Sequence, residues 1–207
     1  MMTFESFAHV AKPDSISTSV ASDILGLLKR FRDKSKIEIT LQYRSLSNAM
    51  VHLLVNRTSS PPEIGDREKI VFDRNGFFLD SEAYVPATET PGINLTIWIN
   101  PAAESYCLPN LEYSIIDAVR HEIEHTRFEK QPDHAERSDS MSSYQYFLLD
   151  DEIPSMIAGL GLAAKREGVS LVTAMSDYLT PFVESGFMTV QEFDEVMQTW
   201  LEYANSN

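Results

Sequence analysis

The chain has 207 residues, 43% of them hydrophobic, which is enough to bury the core of one ordinary domain and excludes a chain that is disordered throughout. It carries 31 acidic against 17 basic residues, a formal net charge of -14. A surface this acidic repels phosphate backbones and anionic lipid headgroups, so neither a nucleic acid nor a membrane is an expected partner.

The sequence shows no targeting or membrane-spanning pattern. Residues Met1 to Glu5 lack the basic region and apolar run of a secretory signal, and no apolar stretch approaches the length of a membrane span. The single cysteine, Cys107, has no partner for a disulfide within the chain and is expected to be inert rather than a nucleophile. We therefore expect a soluble, cytoplasmic protein. The sequence makes no prediction about the oligomeric state.

The first predicted element is a helix. Residues 1–17 are interpreted as a flexible lead-in to a single domain over residues 18–207. Apolar residues then recur at the helical spacing of three and four, at Ile24, Leu27, Leu28 and Phe31. The basic residues that follow complement the negative end of a helix dipole, which is a structural role.

The next elements are predicted strands. Residues 37–43 and 93–99 alternate between apolar and polar side chains, the period of a half-buried strand. Residues 50–55 form a short apolar run that fits a strand or a helix. Asn75-Gly76 lies between two apolar runs and predicts a hairpin, because both residues tolerate positive φ. Residues 18–101 are therefore the sheet-rich half.

After residue 101 every predicted element is a helix. The apolar stripes fall within residues 111–130, 153–160, 171–179 and 189–205. Thr189 and Glu192 have the spacing of a capping box at the start of the last of these helices. The predicted fold is therefore α+β, with an N-terminal mixed or antiparallel sheet and one helix, followed by a helical half over residues 111–207.

Two of the five histidines, His121 and His125, stand four residues apart on a predicted helix. Such residues share one helix face, so both imidazoles can point at one atom, and neutral imidazole nitrogen is a good zinc ligand. Glu122 projects about 100° around the helix from His121, where its carboxylate can accept a proton from water. This H-E-x-x-H motif predicts a zinc site with Glu122 as its catalytic base. The alternative interpretation is a pair of exposed histidines on an acidic helix.

Charged residues surround the motif. Arg120, Glu124 and Arg127 stand at spacings of three and four, and we expect them to pair along an exposed helix face.

A catalytic zinc site also needs a third protein ligand and an open position for water. His134 is one candidate, although the chain would have to loop back from the end of the helix. The run Asp150-Asp151-Glu152 is the other candidate. It opens a predicted helix among apolar residues, where a charge is costly to bury unless it is paired or metal-bound. We favour Glu152 as the third ligand and expect one of the other acids to cap the helix.

The helix His121–His125, followed by a glutamate on a later helix, resembles the zincin metallopeptidases, and their gluzincin branch in particular. The segment Asp151–Pro154 also resembles, more loosely, one in small phage-encoded HExxH proteins, which would act in the host cell. The resemblance covers residues 93–165. It implies a twisted sheet before the active-site helix, with Ile93–Asn100 as the edge strand that offers backbone hydrogen bonds to an extended peptide.

These features predict a zinc-dependent metallopeptidase that acts on a peptide or protein substrate. Glu122 would take a proton from water and pass it to the leaving amine, while Tyr144, Tyr146 or His134 would stabilise the oxyanion. One alternative is a metal site for structure or partner recognition without turnover. Another is a metal-free interaction module that docks through the helix Thr189–Asn205.

Overall fold

The structure, a computed structural model, describes residues 11–43, 50–59, 63–64, 68–69, 76–84, 92–125 and 141–206. The chain divides into two compact units, Met1–Glu122 and Ile123–Asn207. One helix precedes the strands and only helices follow them, so the predicted α+β class is confirmed. Residues 11–17 of the predicted lead-in belong to the first helix, and residues 1–10 lie outside the described part of the chain.

The first unit is built around a four-stranded sheet. The described strands are β1 (Lys36–Gln42), β2 (Met50–Arg57), β3 (Glu63–Ile64), β4 (Glu68–Lys69), β5 (Phe77–Tyr84) and β6 (Gly92–Ile99). The sheet order is β1-β2-β6-β5, while β3 and β4 pair only with each other. The β2–β6 pair is parallel and the two outer pairs are antiparallel, so the predicted mixed sheet is confirmed.

The register of the strands places their apolar residues on one face. Val55 of β2 lies opposite Ile37 of β1 and opposite Ile97 of β6. The inward-facing residues of β6 are fully buried, namely Ile93, Leu95, Ile97 and Ile99. Because side chains alternate along a strand, the apolar spacing read from the sequence defines this core face.

Two helices complete the first unit, α1 (Ala11–Arg30) and most of α2 (Glu104–His125). Both bury an apolar stripe, formed by Val20, Ala21, Ile24 and Leu28 in α1 and by Leu111, Ile115 and Val119 in α2. Helix α2 begins earlier than the predicted start at Leu111 and continues through Pro109. Proline lacks an N–H group, so this helix gives up one backbone hydrogen bond near its first turns.

Arg57, at the end of β2, joins three parts of the first unit. Its guanidinium makes two hydrogen bonds to the Glu104 carboxylate, at 3.0 and 2.8 Å. It also donates to the carbonyls of Leu28, Phe31 and Lys34, which lie at or just beyond the C-terminal end of α1. A cation at that end compensates unpaired helix carbonyls, so Arg57 fixes the end of α1 against the start of α2.

Gly76 occupies the turn before β5 with a φ of +80°, as the Asn-Gly pattern predicts. A Cβ atom at this position would overlap the Cβ of Ala103. The second arm of the predicted hairpin is β5, and its first arm, residues 70–72, lies outside the described residues. The strand that pairs with β5 is β6.

The second unit contains four further helices, α3 (Ser143–Phe147), α4 (Glu152–Glu167), α5 (Leu171–Glu184) and α6 (Val190–Ser206). Trp200 is fully buried at their centre, and its indole N–H donates to the carbonyl of Phe147 at 2.9 Å. The predicted capping box at Thr189 is confirmed by reciprocal hydrogen bonds with Glu192. Among the helices that the structure describes, none has the length and apolar character needed to cross a membrane.

Candidate metal centre

The structure brings the three predicted ligand residues together. His121 and His125 lie one turn apart on α2, and Glu152 is the first residue of α4. One ligand atom from each of the three residues lies within 4.8 Å of the others. Among the described residues this is the one group of three His, Cys, Asp or Glu side chains so arranged. The cluster could therefore hold a metal ion.

One distance within the cluster, between His125 and Glu152, fits a small tetrahedral ion. Two ligand atoms that each stand about 2.0–2.2 Å from such an ion are about 3.3–3.6 Å apart. The Nε2 atom of His125 lies 3.4 Å from Oε2 of Glu152. Both side chains are buried, with exposed fractions of 8% and 0%. A carboxylate this deeply buried is costly without a cation, so the donor set fits a bound metal.

Glu122 lies on α2 next to the first histidine of the cluster and is 4% exposed. The hydroxyl of Ser81, in β5, donates to its Oε1 atom at 2.7 Å. This hydrogen bond is short and goes to an ionisable carboxylate, so it holds the Glu122 side chain in one orientation. The partner was not predicted. The one feature of the sequence that points to Ser81 is that it is a polar residue on the inward-facing side of β5, between Leu79 and Ala83.

The three consecutive acids at the start of α4 have different environments. Asp150 is exposed, and Glu152 is fully buried in the cluster. Asp151 occupies the N-cap position of α4, but its side chain makes no capping hydrogen bond. Asp151 therefore has the position of the expected cap but does not make the capping hydrogen bond. The Asp151 carboxylate instead lies 3.8 Å from Nδ1 of His125.

Two neighbouring groups respond to the charge of the acids at the site. Loss of hydration, then the charges of Glu82 and Glu122, raise the pKa of Asp80 on β5. Loss of hydration, then the charge of Glu152, raises the pKa of Tyr178 to about 12, although 37% of this residue is exposed. Tyr178 was not predicted near Glu152, because its position among the apolar residues of α5 indicated only packing.

The other predicted residues are not brought into the cluster by the described contacts. The hydroxyl of Tyr144 donates to Glu195 of α6, which raises the pKa of Tyr144. Tyr146 packs against the core of the helical unit. His134 lies outside the described residues. Cys107 is fully buried and its thiol points to the carbonyl of Glu104, as expected for an inert cysteine.

The predicted exposed row of charges around the motif is wrong for Arg120. Arg120 is 2% exposed, so it does not belong to the expected exposed row of charges. The face of α2 that carries Arg120 is buried, although the side chain is charged. Glu124 is partly buried, and Arg127 lies outside the described residues.

The predicted edge strand is also wrong. β6, which covers residues 93–99, lies between β2 and β5 and pairs with both. Its backbone groups are therefore used within the sheet. Among the described strands, β5 is the outer one on that side. Because β5 also carries Ser81, the outer strand is the one that contacts Glu122.

Comparison of the chain with family models, curated proteins and solved structures finds no match.

Proposed function

We propose that the protein is a zinc-dependent peptidase in which His121, His125 and Glu152 hold the metal. The observation that carries the proposal is the convergence of these three residues, with Glu122 beside the first histidine. Among the described residues the group consists of two histidines and a glutamate, and three protein ligands would leave one position open in a four-coordinate zinc site, as catalytic sites require. A structural zinc site would need a fourth protein ligand.

Zinc held there would supply Lewis-acid chemistry, which would lower the pKa of bound water to about 7 and polarise a carbonyl group. Glu122 is the general base in this proposal. Its carboxylate accepts the proton of the attacking water and passes it to the leaving amine. Ser81 holds one carboxylate oxygen through a 2.7 Å hydrogen bond. The other oxygen then remains to accept the proton.

The outer strand β5 is the proposed binding edge for an extended peptide substrate. Its inner edge pairs with β6 over residues 77–84, and it is the last strand of the sheet among the described residues. An extended peptide can add to such an edge through backbone hydrogen bonds. Ser81 lies in the middle of β5 and contacts Glu122, so a peptide on this edge would lie close to the base.

The test is hydrolysis of fluorescein-labelled casein and of a quenched fluorescent peptide mixture by the zinc-loaded full chain. Glu122→Gln should lower the rate by about 10²–10⁴-fold, the usual contribution of a general base, while the zinc content stays the same. Glu124→Gln changes a partly buried carboxylate on the same helix and is the matched control, with an expected rate equal to that of the unaltered chain.

Undiminished hydrolysis by Glu122→Gln would overturn the assignment of the base. Full zinc binding with no hydrolysis by the unaltered chain would favour the alternative, a metal site that serves structure or partner recognition.

A further inference from the structure

We propose that Asp151 is a positioning residue that holds the imidazole of His125 in the orientation needed to bind the metal. This inference rests on the proposed function, since it assumes that His125 is a metal ligand. It assigns to Asp151 neither ligation nor helix capping, the two roles that the sequence indicates for acids at this place.

The two ring nitrogens of His125 face different carboxylates. Nε2 faces Glu152 at 3.4 Å, and Nδ1 faces Oδ2 of Asp151 at 3.8 Å. The two nitrogens are separated by one ring carbon and their lone pairs point apart, so a carboxylate beside Nδ1 serves a different nitrogen from the one beside Glu152. Asp151 is accordingly absent from the metal-binding group, although it directly precedes Glu152.

The Asp151 side chain makes no capping hydrogen bond to its own helix. Aspartate is among the preferred N-cap residues because its carboxylate accepts a hydrogen bond from a backbone N–H in the first turn. At α4 this hydrogen bond is not made, although Asp151 is the N-cap residue. The side chain is 13% exposed and directed to a histidine that is 8% exposed. The contact with His125 is therefore not a by-product of helix capping.

A carboxylate on the second ring nitrogen has a known physical effect on a histidine ligand. It accepts the Nδ1 proton, which leaves Nε2 as the unprotonated, metal-binding nitrogen, and it makes that nitrogen more basic. The distance of 3.8 Å is longer than a direct hydrogen bond. A metal on Nε2 would leave the ring proton on Nδ1, which is the nitrogen beside Asp151.

The test is the zinc dissociation constant of the full chain at fixed pH, measured by competition with a chelator. Asp151→Ala should weaken zinc binding by about 10–100-fold, the usual effect of losing such a partner. Asp151→Asn keeps an oxygen acceptor and should show a smaller loss. Asp150→Ala removes the exposed neighbouring carboxylate at the same helix start and should bind zinc as the unaltered chain does.

A second measurement separates positioning from a general disturbance of α4. In the zinc-loaded chain, the NMR resonance of the His125 Nδ1 proton should move upfield in Asp151→Ala and stay in place in Asp150→Ala. Equal zinc affinities and equal Nδ1 resonances in the two variants would overturn the role of Asp151 and leave the zinc site intact. Absence of zinc binding by the unaltered chain would overturn both this role and the proposed function.

Discussion

The hydroxyl of Ser81 lies 2.7 Å from Oε1 of Glu122 and donates a hydrogen bond to it. The two residues are 41 positions apart in the chain, one in an outer strand and the other in the helix that carries both histidines. The contact fixes the side chain that we assign as the base. It also identifies β5 as the strand beside that base.

Ser81→Ala should lower the single-turnover rate by about 10–100-fold without changing the zinc content. A hydrogen bond to a charged group contributes about 1.5–3 kcal/mol, and about 1.4 kcal/mol corresponds to a factor of ten in rate. The measurement is single-turnover hydrolysis of the fluorescent peptide, with zinc determined on the same sample. Ser155→Ala is the control, because its hydroxyl bonds to the Asp151 carbonyl within α4. Equal rates for the two variants would contradict the role of Ser81 in orienting Glu122.

Arg57→Ala should destabilise the sheet unit by about 3–5 kcal/mol, because it leaves the Glu104 carboxylate without its buried cation. The two side chains are 5% and 11% exposed and lie 2.8 Å apart. Lys36→Ala is the matched control, since it breaks an ion pair whose members are 58% and 74% exposed. Exposed pairs contribute about 0–1 kcal/mol. The measurement is urea-induced unfolding, and similar midpoints for the two variants would contradict the role of Arg57.

The capping box of α6 should make stability depend on pH. Hydrogen bonds from the backbone and hydroxyl of Thr189 lower the pKa of Glu192 below its ordinary value of 4.5. A lowered folded pKa means that the stabilisation is complete above pH 4.5 and is lost as the pH falls through that folded pKa. Glu192→Gln should therefore melt at a lower temperature than the unaltered chain near neutral pH, and the difference should shrink in acid.

Thr189→Ala tests the same box from its other end. Loss of an N-cap hydroxyl costs about 1 kcal/mol of stability. This variant should also lose the part of the stability that depends on the ionisation of Glu192. Thermal melts of both single variants and of the double variant would show whether the two effects overlap. Fully additive losses would mean that the two side chains act independently, against the reciprocal hydrogen bonds.

The sequence predicted the local features of the candidate site well. The spacing of His121 and His125 defines one face of a helix, and helical geometry alone brings their ring nitrogens together. The prediction for Glu152 followed from the cost of burying a charge among apolar residues, and the structure places this residue at 0% exposure. Both arguments depend only on neighbours along the chain.

The features that sequence reasoning missed depend on distant contacts. Alternation identifies residues 93–99 as a strand, but it does not say which strands lie on either side, so the edge was assigned to β6 instead of β5. The contact of Ser81 with Glu122 depends on that same strand order. For Asp151, a helix cap and a histidine partner both call for an acidic residue, and the sequence does not show that the capping hydrogen bond is missing or that His125 lies 3.8 Å away.

The most direct test of the central claim is the zinc content of the purified full chain, measured by elemental analysis together with His125→Ala and His52→Ala. His52 lies on β2 beside Thr40, outside the metal-binding group, and its variant is the matched control. We expect about one zinc per chain in the unaltered protein and in His52→Ala, and almost none in His125→Ala. Absence of zinc from the unaltered chain, or full zinc retained by His125→Ala, would contradict it.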